Sequence, residues 1–209
     1  MSIEGSITAL VTPMNEKGDL DYNSLEKLIN FQIDSGISGL VAVGTTGESA
    51  TIDFEDHIKL IEFFIKISNG RVHIIAGTGA NSTEEALHLT REAKNLGADA
   101  ALLVSPYYNK PPQEGIYRHH AKIADEVDIP QILYNVPSRT ASFIEPETVQ
   151  RLSSHQNIMG IKDATGDMKN LSEVLKLCEE NIKSKNFFLY SGDDFSFLEF
   201  LKKGGHGTI

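Results

Sequence analysis

Apolar residues along this chain arrive in short unbroken runs. Each run is followed by a longer stretch in which they recur at three- and four-residue spacing, a buried strand and then an amphipathic helix. The first run, Ser6 to Val11, is stopped at Pro13, and a helix is expected from Tyr22 with Asp21 as its N-cap. That helix would place Leu25, Leu28, Ile29 and Ile33 on one face and end at Gly36. A second strand, Gly39 to Val43, precedes a helix carrying Ile58, Ile61, Phe64 and Ile65. The third, Val72 to Ala76, leads to a helix that opens on the capping-box pattern Ser82-Thr83-Glu84-Glu85 and closes at Gly97. Ala100 to Val104 is the fourth, with a helix from about Gln113 to Glu126. Gln131 to Tyr134, Met159 to Ile161 and Phe187 to Tyr190 complete seven strands, with leucine-rich helices after them.

Strand–helix alternation without linker, low-complexity segment or charge block predicts one α/β domain over residues 1–209. The turn after the first strand, Thr12-Pro13-Met14-Asn15-Glu16, lacks the glycines of a dinucleotide-binding fold. Polar residues collect instead after strand upon strand, as at the catalytic mouth of a (β/α)8 TIM barrel. The chain reaches Gly204-Gly205-His206-Gly207-Thr208-Ile209, the opening of an eighth strand, so the expected barrel ends in strand eight and lacks its last helix. An eighth strand that short is expected to pair over little of its length, and the missing helix to leave Ile7, Ala9 and Val11 partly exposed.

Composition narrows the class. The 209 residues are 40% hydrophobic, enough for one sizeable core. A net charge of -10 argues against a nucleic-acid or anionic-membrane surface. Met1 to Gly5 has no signal-peptide character and no apolar run reaches membrane length, so the cytoplasm is expected. Lone Cys178 sits at helical spacing among leucines and reads as a packed thiol. The seven histidines, including the adjacent pair His119 and His120, have no ligand spacing and read as surface or helix residues, so neither metal nor organic cofactor is expected.

The candidate chemistry lies at the strand ends. Ile158-Met159-Gly160-Ile161 leads straight into Lys162, and a desolvated lysine is the nucleophile that forms a Schiff base with a ketone. A strand-end lysine can equally snorkel into water. Gly44-Thr45-Thr46-Gly47-Glu48 offers hydroxyls and backbone N–H groups suited to a carboxylate, or a capped turn. Tyr107 and Tyr108, set between prolines, present phenols or an interface patch. Tyr134 closes the fifth strand, and Arg139 in the same loop can clamp a carboxylate with two hydrogen bonds.

Taken together, GTTGE, SPYYNKP, YNVPSRT, GIKDATGD and SGDD resemble the dihydrodipicolinate synthase family of pyruvate-dependent Schiff-base aldolases and lyases, from Gly5 to Ile209. The resemblance implies that Lys162 forms an imine with pyruvate and that Tyr134 donates and accepts protons. Thr45 would link Tyr134 to Tyr108 of a neighbouring subunit, so a homo-oligomer is implied, a dimer or a dimer of dimers. Thr46 would hold the pyruvate carboxylate, the Ile209 carbonyl would face the pyruvate site, and Arg139 would bind the carboxylate of L-aspartate 4-semialdehyde. Ser49, Ala50, His57, Asn81, Glu85 and Tyr107 match the feedback site for L-lysine, where Phe54 replaces a frequent histidine. The family continues beyond strand eight with a final helix and a helical region. Sister aldolases acting on sugar acids usually lack the arginine of the PSRT segment, and a non-catalytic fragment is the third alternative.

Overall fold

Parallel strands β1 (Gly5–Ala9), β2 (Gly39–Ala42), β3 (His73–Gly77), β4 (Ala100–Val104), β5 (Gln131–Asn135), β6 (Ile158–Asp163), β7 (Phe188–Ser191) and β8 (Gly207–Thr208) close into a barrel in chain order. The structure, a computed structural model, describes residues 3–209; Met1 and Ser2 of the expected leaderless start lie outside the described residues. The helices are α1 (Tyr22–Asp34), α2 (Phe54–Ser68), α3 (Thr83–Leu96), α4 (Gln113–Glu126), α5 (Pro137–Thr140), α6 (Pro146–Ser153), α7 (Met168–Leu177), α8 (Glu179–Lys183) and α9 (Phe197–Lys202). Among the described residues no helix is long and apolar enough to cross a membrane.

Alternation along each strand separates two apolar layers. Ile7, Val41, Ile75, Leu102, Ile132 and Phe188 fill the barrel interior, while Leu40, Ala42 and Ile74 face outward onto Leu25, Ile29, Leu60, Ile61 and Phe64 of α1 and α2. The capping residues act as their types predict: Asp21 accepts from the Ser24 amide at 3.0 Å, and Gly97, at φ 96°, ends α3. Cys178 is buried among Leu171, Val174 and Leu152 as expected, and burial pushes its thiol pKa up.

The eighth strand is as short as expected, yet it closes the sheet, pairing Gly5 with Gly207 and Ser6 with Thr208. The expectation that Ile7 is partly exposed is corrected. It points into the barrel and is buried, whereas Ala9 is half-buried against the same interior cluster and Val11, at 47%, is exposed, both as expected. Of the seven expected strands only β4 ends where expected; β1 stops two residues early at Ala9, and β3, β5 and β7 each run one residue further, to Gly77, Asn135 and Ser191. β2 stops at Ala42 because Val43 turns to φ 54°, an unusual conformation for a buried β-branched residue, held where Gly77 has no side chain to meet the Val43 carbonyl. β6 runs on through Lys162 and Asp163, because both continue the ladder to Tyr134 and Asn135 on one side and to Tyr190 and Ser191 on the other.

Of the two readings of the histidines, helix holds and surface does not for His57 on α2 and for His119 and His120 on α4, all of which are buried. His119 meets Thr83 Oγ1 at 2.9 Å, but its Nε2 and the His120 Nδ1 have no hydrogen-bond partner among the described residues. Burial lowers the His119 pKa to about 4. Burial, then the neighbouring His119, holds His120 well below the usual range. Unfolding releases both rings to an ordinary value near ~6.5, so the unfolded chain takes up protons that the folded one refuses. Stability is therefore complete above that value and falls as pH drops toward 4. The His119 contribution is on the order of 3 kcal/mol across the whole window. The denaturation midpoint should drop between pH 7 and pH 5, and less so in His119→Gln; equal slopes in both chains would refute the assignment.

Candidate active site

The C-terminal ends of the strands form the mouth of the barrel, and Lys162 rises into it from β6. It is 5% exposed, and burial, followed by the charge of Arg139, lowers its pKa to about 8 against an opposing pull from Asp194. Its Nζ lies 4.4 Å from the centroid of the Tyr134 ring, one position across the β5–β6 ladder. Such a contact favours the ammonium, but desolvation outweighs it and keeps a usable share of free amine.

Tyr134 is buried, which raises its phenol pKa; the Arg139 charge and the nearby Thr45 hydroxyl oppose that rise. The phenol is thus neutral near pH 7, with the Thr45 hydroxyl beside it. Thr45 sits in the turn that strained Val43 sends out of β2. Arg139 lies on α5, the single turn of helix inside YNVPSRT that begins at Pro137. Asn135 Oδ1 accepts from the Ile144 amide at 3.1 Å and Thr140 Oγ1 donates to the Ser142 carbonyl at 2.8 Å, which ties this loop down on both sides of the arginine.

Behind the lysine, the Asp163 carboxylate accepts from the Thr165 amide at 2.7 Å and from Asn170 Nδ2 at 2.6 Å. Burial raises the Asp163 pKa while those hydrogen bonds resist. Asp163, Asn170 and Asp194 carried no role in the sequence reading. The SGDD motif after β7 was the signal for Asp194, whereas nothing in the sequence pairs Asp163 with a residue seven positions on.

Of the residues singled out from sequence, Lys162, Tyr134, Thr45 and Arg139 meet at this mouth. Ile209 packs against the interior cluster that contains Tyr134, and its amide donates to the Ser191 carbonyl at 2.9 Å. Thr46 is exposed in the same turn as Thr45. Tyr108 stands apart, 89% exposed at φ 69°, and does not reach these residues within one chain. A cavity of about 390 Å³ adjoins the mouth; Thr45 and Arg139 share its wall with Ser49, Ala50, His57, Glu85 and Tyr107. Asn81, the sixth residue of that group, is not on the wall, and its carbonyl accepts from Asn109 Nδ2 at 3.2 Å. His57 Nε2 bonds the Gly77 carbonyl at 2.7 Å, with burial lowering its pKa, and Phe54 stacks on His88 with centroids 4.8 Å apart.

A desolvated lysine against a buried phenol, at the mouth of a closed eight-stranded barrel, defines a Schiff-base-forming (β/α)8 lyase. The sequence profile of the Dihydrodipicolinate synthetase family matches residues 2–209, and the chain belongs to that family. It is 55% identical over 207 residues to the 4-hydroxy-tetrahydrodipicolinate synthase of Alcanivorax borkumensis, covering 99% of this chain and 69% of the relative. The enzyme of the same name from Pseudomonas putida strain W619 is 56% identical over the same shares. Among solved structures, the chloride-inhibited dihydrodipicolinate synthase from Acinetobacter baumannii complexed with pyruvate superposes at TM-score 0.94. It is 50% identical and covers 100% of this chain and 70% of its own. The lysine-bound enzyme from Cyanidioschyzon merolae also superposes at 0.94, with 38% identity, covering 99% of this chain and 69% of its own.

Proposed function

We propose that the chain condenses pyruvate with L-aspartate 4-semialdehyde through a Schiff base on Lys162, giving 4-hydroxy-tetrahydrodipicolinate in diaminopimelate and lysine biosynthesis. The observation that carries this reading is the buried Lys162 amine, with its lowered pKa, over the Tyr134 ring. Family membership and the pyruvate held by a relative 50% identical support the choice of keto acid. Neutral Lys162 adds to the pyruvate ketone, and loss of water leaves a cationic imine. The imine nitrogen acidifies the adjacent methyl group, whose proton leaves to give an enamine. The enamine carbon attacks the aldehyde of the second substrate, and the alkoxide so formed takes up a proton. The substrate amine then adds to the imine carbon and expels the lysine as the ring closes.

Tyr134 carries the protons of these steps and Thr45 orients its hydroxyl. Thr46 holds the pyruvate carboxylate, the Ile209 carbonyl faces the bound keto acid, and Arg139 takes the second carboxylate. Tyr108 completes the proton chain from a neighbouring subunit, so the working form is a homo-oligomer, a dimer or a homotetramer; its exposure agrees with that role. The cavity beside the mouth takes L-lysine as a feedback ligand through Ser49, Ala50, His57, Glu85 and Tyr107, with Asn81 contributing from beyond its wall. The enzyme works in the cytoplasm.

Borohydride reduction with pyruvate, followed by peptide mass spectrometry, tests the reading. A reduced three-carbon adduct is expected on Lys162; an adduct on another lysine, or none, would overturn the proposal.

A further inference from the structure

Gly192 follows β7 directly, and its amide donates to the Asp163 carbonyl at 2.7 Å. A Cβ built on it would come within 2.7 Å of Lys162 Cε, 3.1 Å of Lys162 Cγ and 3.0 Å of the Ala164 methyl carbon. Carbon atoms pack best at roughly 3.5–4.0 Å, so a side chain here would displace the lysine. The backbone makes no demand of its own, since Gly192 is not among the glycines with positive φ and alanine could adopt its conformation. What glycine supplies is room, and the lysine stem occupies that room.

The surrounding backbone has little freedom to retreat. Asp163 is pinned by Thr165 and Asn170, and on the other side the Ser191 carbonyl accepts from the Ile209 amide while its Oγ accepts from the Asp193 amide at 3.3 Å. Both neighbours of the contact are held, so the flexible lysine is the part that would yield. We infer that Gly192 is a positioning residue for the imine-forming reaction, its bare Cα forming the bed on which the Lys162 stem lies and so setting the reach of Nζ. This rests on the reading of Lys162 as the nucleophile.

The test compares wild type, Gly192→Ala, Lys162→Ala and Gly192→Ala/Lys162→Ala by pyruvate–borohydride trapping and thermal unfolding. Gly192→Ala is expected to trap pyruvate about 100-fold more slowly, with an altered pH profile, because the amine is misplaced by about an ångström. Its lowered melting temperature should rise in the double variant toward that of Lys162→Ala, because the two contacts with the lysine stem disappear and only the 3.0 Å approach to the Ala164 methyl carbon remains. A wild-type trapping rate and pH profile in Gly192→Ala would overturn the inference. So would a double variant that melts no higher than Gly192→Ala. Wild-type protein lacking an adduct on Lys162 would instead sink the nucleophile reading, and the unfolding comparison would still decide whether Gly192 makes room for the lysine.

Discussion

Lys162→Ala is expected to lower turnover by on the order of 10⁴-fold or more and to remove all borohydride-trappable pyruvate. No neighbouring group can substitute, because the covalent step needs an amine that is both buried and aimed across the barrel mouth. Lys162→Arg should fail as completely, since a guanidinium keeps the charge and does not deprotonate near neutrality. The pKa of about 8 leaves about a tenth of the wild-type lysine neutral at pH 7, roughly 300-fold more than an ordinary lysine offers. Trapping by the wild type should therefore accelerate from pH 6.5 and level off above about 8.5. A flat profile over that range, or an adduct surviving in the alanine variant, would mean that another group carries the imine.

Arg139→Ala should separate the two substrates. Loss of a bidentate, charge-assisted contact should cost on the order of 2–4 kcal/mol of transition-state binding for L-aspartate 4-semialdehyde, roughly 30- to 1000-fold in kcat/KM. Pyruvate trapping should survive, with one shift that the geometry demands. The arginine charge is the second largest influence lowering the Lys162 pKa, so its removal lets that pKa rise and moves the trapping profile to higher pH. Arg139→Lys should restore the profile through its charge while recovering only part of the second-substrate binding, because an ammonium lacks the planar fork. Equal loss of trapping and condensation in Arg139→Ala, not recovered at high pH, would make the arginine structural.

Much of the barrel was legible because its elements are set by local pattern. Ala100–Val104 and Gln113–Glu126 coincide with their expected bounds, since an apolar run between polar turns and a proline before a periodic stretch leave little choice. Strand ends were less legible. β6 extends to Asp163 through its pairing with β5 and β7, which the sequence around Lys162 does not contain. The burial of His119 and His120 escaped for the same reason: it is decided by what packs against them from far along the chain.

By itself the sequence determined the alternation of strand and helix, the strand-end motifs, and the residue types able to make an imine, move a proton and hold a carboxylate. Those properties reside in single residues and their near neighbours. Only the tertiary structure decided that Lys162 is desolvated, that it lies 4.4 Å from the centroid of the Tyr134 ring, and that Gly192 leaves room for its stem. It also left Tyr108 outside the mouth and closed the sheet through two residue pairs between β1 and β8. The reason is physical: desolvation and reach depend on atoms that the fold brings from distant positions, and a residue's own identity carries no information about which neighbours will exclude water from it.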